Sequence, residues 1–126
     1  MGKAKRVLIV EDTSSMRGVI KATIASMGTF TIVEAVDGQQ ALKSIESSHF
    51  DLVICDWDMP KMTGLELLQA IRAQDRFKIL PFVMLTANSQ LEKIKQAISL
   101  GVTDYVAKPF QPATLINKVS AYLIEQ

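Results

Sequence analysis

A chain of 126 residues is the size of one domain, because a single hydrophobic core commonly serves roughly 100–200 residues. Hydrophobic residues make up 48% and charged residues 21% of it, enough apolar surface to cover both faces of a sheet, which argues against a disordered chain. Fourteen basic and thirteen acidic residues leave a formal charge of +1, which excludes the global electrostatic footprint of a nucleic-acid or anionic-membrane binder.

The basic amino terminus, Met1 to Arg6, leads into Val7-Leu8-Ile9-Val10, a run too short for a signal-peptide core or a membrane span. That run reads as a buried strand, and it ends in the acidic pair Glu11-Asp12. Thr13 and Ser14 then offer hydroxyls for an N-cap, and Met16, Val19, Ile20, Ile24 and Met27 form one helical face that Gly28 can stop. A short strand is expected over Thr31 to Ala35, and Asp37-Gly38 turns the chain into a helix with Ala41, Leu42 and Ile45 inward. Leu52-Val53-Ile54-Cys55 is the next buried run, with Asp56 at its carboxyl end and Trp57-Asp58-Met59-Pro60 after it.

Beyond that loop, Leu65, Leu67, Leu68 and Ile71 mark a third helix. Pro81 opens a fourth strand, Phe82 to Leu85, where a missing N–H costs least. Thr86 and Ala87 stand at its end. Leu91, Ile94, Ala97 and Ile98 give a fourth helix, Tyr105-Val106-Ala107 a fifth strand ending in Lys108-Pro109, and Pro112 suits the first turn of a last helix bearing Leu115, Val119, Tyr122 and Leu123. Buried strands alternating with helices are repeated βαβ units, so the fold class is α/β, an open doubly wound parallel sheet of five strands with five helices. Its ligands belong at the carboxyl ends of the strands.

Glu11, Asp12, Asp56 and Asp58 cannot crowd into that crevice without cost. Two unit charges about 4 Å apart repel by roughly 4 kcal/mol at an effective dielectric near 20, so such a site either keeps protons or holds a cation. All the side-chain donors are oxygens, with no histidine or thiolate among them, which favours Mg²⁺, or Mn²⁺ in its place, over zinc. A carboxylate beside such an ion can act as nucleophile toward a phosphoryl donor, provided cations and hydrogen-bond donors absorb the charge on the phosphoryl oxygens. Cys55, the single cysteine, lies in an apolar run. It forms no internal disulfide and reads as a core residue in a reducing compartment, so a cytoplasmic protein is expected.

The acidic pair after the first strand, the stretch Asp-x-x-Met-Pro-x-Met-x-Gly from Asp56 to Gly64, Thr86 after the fourth strand and Lys108-Pro109-Phe110 after the fifth together resemble the receiver domain of two-component response regulators. Single-domain chemotaxis members are the most similar, and the likeness spans residues 1–126 as one domain. The resemblance implies strand order 2-1-3-4-5, Asp56 as phosphoacceptor, and Mg²⁺ held by the acidic pair with Asp56, Asp12 and the Asp58 backbone carbonyl being the ligands of the motif. It implies Lys108, the Thr86 hydroxyl and the Ala87 N–H around the phosphoryl group, with Lys108-Pro109 as a cis peptide. It implies an output face of Tyr105, Ile94, Ala107 and Lys118, switched as Thr86 moves and Tyr105 changes rotamer.

The implied partners are a histidine kinase as phosphodonor, a flagellar motor switch protein or another output protein, and a phosphatase. No nucleic acid and no membrane are among them, and the protein is expected to be a monomer. Asp58 and Asn88 depart from the acids and amides common at those positions and leave the lifetime of the phosphoryl group open. A phosphorelay intermediate, or a receiver cut from a longer regulator, shares the same motifs. A flavodoxin-like electron carrier shares the sheet, yet its phosphate loop would follow the first strand, where this chain reads Glu11-Asp12-Thr13-Ser14-Ser15. A Mg²⁺-dependent phosphatase of doubly wound fold would place its nucleophile after the first strand with a second Asp two residues on, where Ser14 stands after Asp12.

Overall fold

The computed structural model describes residues 4–87 and 91–124. Five strands, β1 (Arg6–Val10), β2 (Thr31–Ala35), β3 (Leu52–Asp56), β4 (Phe82–Thr86) and β5 (Asp104–Ala107), alternate with five α-helices: α1 (Ser14–Ala25), α2 (Gly38–Ser47), α3 (Gly64–Arg72), α4 (Leu91–Ser99) and α5 (Pro112–Leu123). The strands pair in parallel in the order β2-β1-β3-β4-β5, as expected. A single turn of 3-10 helix at Asp75–Phe77 was not expected; its mixed residues carry no period that a sequence could reveal.

Alternation along the strands divides the core in two. Leu8, Val10, Val53, Cys55, Phe82 and Met84 point to the side of α2 and α3, with Leu67, Leu68 and Ile71 packed on them. Val7, Ile9, Leu52, Ile54, Val83 and Leu85 point to the other side, against Ile20 and Ile24 of α1 and Leu115 and Val119 of α5. Burial on both faces explains why these strands are continuous apolar runs rather than alternating ones. Each fully buried aliphatic side chain contributes roughly 1.5–3 kcal/mol of transfer free energy, and the buried strands β1, β3 and β4 lead into Glu11, Asp56 and Thr86.

Helix entries follow the local chemistry. Thr63 and Glu66 form a reciprocal capping box, the Thr63 hydroxyl accepting from Glu66 N–H at 3.2 Å and the Glu66 carboxylate from Thr63 N–H at 3.0 Å. Asp37 caps α2 by accepting from Gln40 N–H at 2.8 Å, and Pro112 occupies the first turn of α5. Two expected faces differ. Val19 of α1 is 48% exposed, and in α4 Leu91 and Ile98 are 62% and 58% exposed while Ala97 is that helix's buried residue. α4 therefore docks through a narrow contact, and its apolar period overstates how much of it the sheet covers. No described helix is long and apolar enough to cross a membrane.

Candidate functional site

The backbone ladder runs one residue past the ends of β1, β3 and β5 and so fixes where the polar side chains begin. Glu11 N–H donates to the Ala35 carbonyl at 3.0 Å, Trp57 N–H to the Leu85 carbonyl at 2.9 Å, and Lys108 N–H to the Thr86 carbonyl at 2.8 Å. Val10 pairs with Cys55, Asp56 with Leu85, and Thr86 with Ala107. Glu11, Asp56, Thr86 and Lys108 are thereby lined up along one edge of the sheet, although Lys108 lies 52 residues from Asp56 in the chain.

Carboxylate oxygens of Glu11, Asp12 and Asp56 all lie within 4.8 Å of one another. Glu11 is 2% and Asp56 4% exposed, whereas Asp12 faces solvent. The Lys108 ammonium donates to Asp56 Oδ1 at 2.7 Å and stands 3.8 Å from Glu11 Oε1. Glu11 Oε1 also accepts from the Thr13 hydroxyl at 3.0 Å. Thr13 does occupy the N-cap position of α1, but its side chain makes no capping bond; a charge-assisted bond to a buried carboxylate outweighs a neutral cap. Glu11 Oε2 is buried with no hydrogen-bond partner among the described residues. Lys108 is thus shared by Glu11 and Asp56, while Asp12 stands beside them without it.

Burial, then the adjoining Asp56, pushes the Glu11 carboxyl up to about 7, against the opposing pull of Lys108 and Thr13. In the unfolded chain Glu11 ionises near 4.5. The folded state holds the proton longer, so the Glu11 contribution to stability is fully present below about pH 4.5 and is lost as pH rises through about 7. For the metal-free protein we expect a loss on the order of 3 kcal/mol across that window, and Glu11→Gln should flatten it. Urea unfolding in chelator at pH 5 and pH 8 measures this; equal pH dependence in parent and variant would locate the effect elsewhere. Glu34 and Asp51, both held below their usual range, act at lower pH and in the opposite direction.

An orphaned, buried carboxylate oxygen beside two other carboxylates is a hard-oxygen donor set of the kind that suits Mg²⁺. Asp58 is exposed and its carboxylate is not in this group; the part expected of it was a backbone carbonyl. Thr86 is buried at 2% exposure, and Ala87 follows it into solvent. The Lys108–Pro109 peptide is cis. Of the residues expected on an output face, Tyr105 is 37% exposed, Ala107 and Lys118 are exposed, and Ile94 is half-buried rather than open. Lys118 pairs with Asp104 at 3.3 Å. Asn88 lies outside the described residues. Trp57, next to Asp56, is buried in the core with Met59 and Leu67.

Two contributors escaped the sequence reading. Thr13 was assigned to the helix start, and Arg17, whose guanidinium donates to the Glu11 carbonyl at 2.9 Å, was not singled out. The signal for Arg17 was a basic residue one turn into the helix that follows an acidic pair. The glycine ending the Asp56–Gly64 motif has a steric reason: a Cβ on Gly64 would meet the Asp56 carbonyl oxygen and, at 2.8 Å, Met84 Sδ. Gly64→Ala is expected to cost roughly 1–3 kcal/mol, because the obstacle is the backbone of the acidic strand end itself. Equilibrium urea unfolding checks it; a loss below about 0.5 kcal/mol, the usual range of surface substitutions, would mean that α3 shifts freely.

Residues 7–120 match the family model of the response regulator receiver domain. The chain is 43% identical over 114 residues to the chemotaxis protein CheY of Pseudomonas aeruginosa, covering 90% of this chain and 92% of that protein. Among solved structures it is similar to the chemotaxis protein CheY4 of Vibrio cholerae, with a TM-score of 0.87 at 35% identity over 96% of this chain and 100% of that one. It is also similar to the receiver domain of a sensor histidine kinase from Pseudomonas aeruginosa, solved with a magnesium ion coordinated in the active site cleft, with a TM-score of 0.86 at 30% identity over 98% and 100% of the two chains.

Proposed function

The chain belongs to the response regulator receiver domain family, and on that premise we propose that it is a single receiver over residues 1–126, which takes a phosphoryl group from a histidine kinase on Asp56 and controls an output protein in chemotaxis. The observation that carries this reading is the 2.7 Å contact of Lys108 with Asp56 beside the buried, unpartnered Glu11 oxygen. A nucleophile, a cation to meet the phosphoryl group and an acidic pocket for a metal stand in one place.

The chemistry is transfer rather than turnover of a free substrate. An Asp56 carboxylate oxygen forms the new O–P bond as the P–N bond of the donor phosphohistidine breaks, and the imidazole departs with its electron pair. Lys108, already hydrogen-bonded to the carboxylate, keeps its ammonium within reach of a phosphoryl oxygen. The Thr86 hydroxyl and the Ala87 N–H serve a second oxygen. Mg²⁺ (or Mn²⁺), when bound by Glu11, Asp12, Asp56 and the Asp58 carbonyl, supplies positive charge that offsets the phosphoryl oxygens. Displacement of Thr86 then biases Tyr105 and the surface of α4, β5 and α5, where a flagellar motor switch protein is the proposed partner. The proposed setting is the cytoplasm.

Binding only the folded state, Mg²⁺ should stabilise the protein by about 2.7 kcal/mol at a hundredfold excess over its Kd, several degrees in melting temperature. Asp12→Ala should lose most of that increment; a full Mg²⁺ response in the variant would misplace the metal. The output is tested by pull-down with and without a beryllofluoride phosphoryl mimic, probing flagellar-switch and histidine-phosphotransfer proteins. Mimic-dependent capture of the former supports the chemotaxis reading. Capture of the latter alone points to a phosphorelay intermediate, a reading favoured by the likeness to a receiver domain from a sensor kinase.

A further inference from the structure

We propose that Arg17 is a positioning residue of the acidic site, pinning the Glu11–Asp12 peptide so that Asp12 completes the carboxylate group; this rests on the metal reading above. Arg17 lies in the second turn of α1, and its side chain is 18% exposed. Its Nη1 donates to the Glu11 carbonyl at 2.9 Å while its Nε donates to Glu34 Oε1 at 3.1 Å. Glu34, on β2, is held from its other oxygen by Lys21 at 3.3 Å. The guanidinium is thus fixed between a strand and the loop that leaves β1.

The pinned carbonyl belongs to the peptide that leads into Asp12, so its orientation sets the direction in which Asp12 leaves the backbone. Asp12 is exposed, and among the described residues no hydrogen bond or ion pair reaches its side chain, whereas Glu11 has Thr13 and Lys108, and Asp56 has Lys108. Backbone placement alone brings Asp12 within 4.8 Å of the other two. A planar fork presents its donors in a fixed geometry to two acceptors at once; a lysine ammonium carries three rotatable donors on a flexible stem and orients its acceptors less.

Positioning and simple electrostatics predict opposite signs here. Removing a cation beside a cation site should tighten Mg²⁺ by Coulomb's law, whereas releasing the Asp12 peptide should weaken it, as loss of outer hydrogen bonds around metal ligands weakens affinity by roughly ten- to a hundredfold. The experiment is Mg²⁺ titration of the parent, Arg17→Ala and Arg17→Lys, followed by Trp57 fluorescence and by calorimetry, at a temperature where thermal melts show each protein folded. The expected result is a Kd raised roughly tenfold in Arg17→Ala and by an intermediate factor in Arg17→Lys. A Kd in Arg17→Ala equal to or below the parent's overturns the proposal while leaving the metal reading intact. Should Arg17→Ala not fold, Arg17→Lys decides alone, with a raised Kd in support and an unchanged Kd against. A parent that shows no Mg²⁺ response by either readout overturns the metal reading and the role of Arg17 with it.

Discussion

Asp56→Asn is expected to accept no phosphoryl group from a small acyl phosphate or from a phosphohistidine donor. The amide oxygen keeps the shape that receives Lys108, now 2.7 Å from Oδ1, but it is no useful nucleophile and cannot carry the acyl phosphate. Failure by unfolding is readily separated from failure of chemistry. Asp56 is among the causes that raise Glu11, so neutralising it relieves repulsion, and the metal-free variant should be at least as stable as the parent near neutral pH. Intact-protein mass after incubation with donor and Mg²⁺ measures the outcome, with peptide mapping of any residual label. Stable phosphorylation of the variant at another residue would remove Asp56 from the role proposed for it.

The second large effect is expected at Thr86. Thr86→Ala should still take phosphate on Asp56, because nucleophile, acidic group and Lys108 remain, yet it should transmit poorly. Thr86 is buried at the end of β4 and pairs with Ala107 of β5, two residues from Tyr105. In the proposed switch it is the group through which an event at the acidic edge reaches the partly exposed tyrosine. A hydrogen bond to a charged phosphoryl oxygen contributes roughly 1.5–3 kcal/mol, so its loss should remove roughly ten- to a hundredfold of the phosphorylation-dependent gain in partner affinity. Binding of a motor-switch peptide by the parent and the variant, each with and without the mimic, measures it. Trp57 fluorescence reports site occupancy in the same samples. A normal Trp57 response together with a normal gain in affinity would show that coupling runs by a route other than Thr86.

Much of the frame was legible because buried parallel strands leave an unmistakable trace. Residues such as Val7 to Val10 and Leu52 to Cys55 are apolar on both faces, and each run stops at the first residue that enters the crevice. Helix period was a weaker guide. It placed Ile20, Ile24, Leu67 and Leu68 correctly in the core but also enlisted Val19, Leu91 and Ile98, which the structure leaves in solvent. A helix period says which residues share a face; how much of that face a neighbour covers depends on the docking of the helix, and α4 meets the rest of the molecule chiefly around Ala97.

By itself the order of residues determined the chemical inventory: acids after the first and third strands, a hydroxyl after the fourth, a lysine after the fifth, all delivered to one edge because parallel strands share a direction. Only the tertiary structure decided which of them meet. It drew Lys108 onto Asp56 across 52 residues of chain, turned the Thr13 hydroxyl from the helix start to Glu11, left the Asp58 carboxylate outside the acidic group, and brought Arg17 back onto the Glu11 carbonyl. Beyond a strand end the periodic constraint on side-chain direction lapses. Where each polar group points is then set by the competition among buried charges for the few donors within reach, and that competition is decided by neighbours that are distant in sequence.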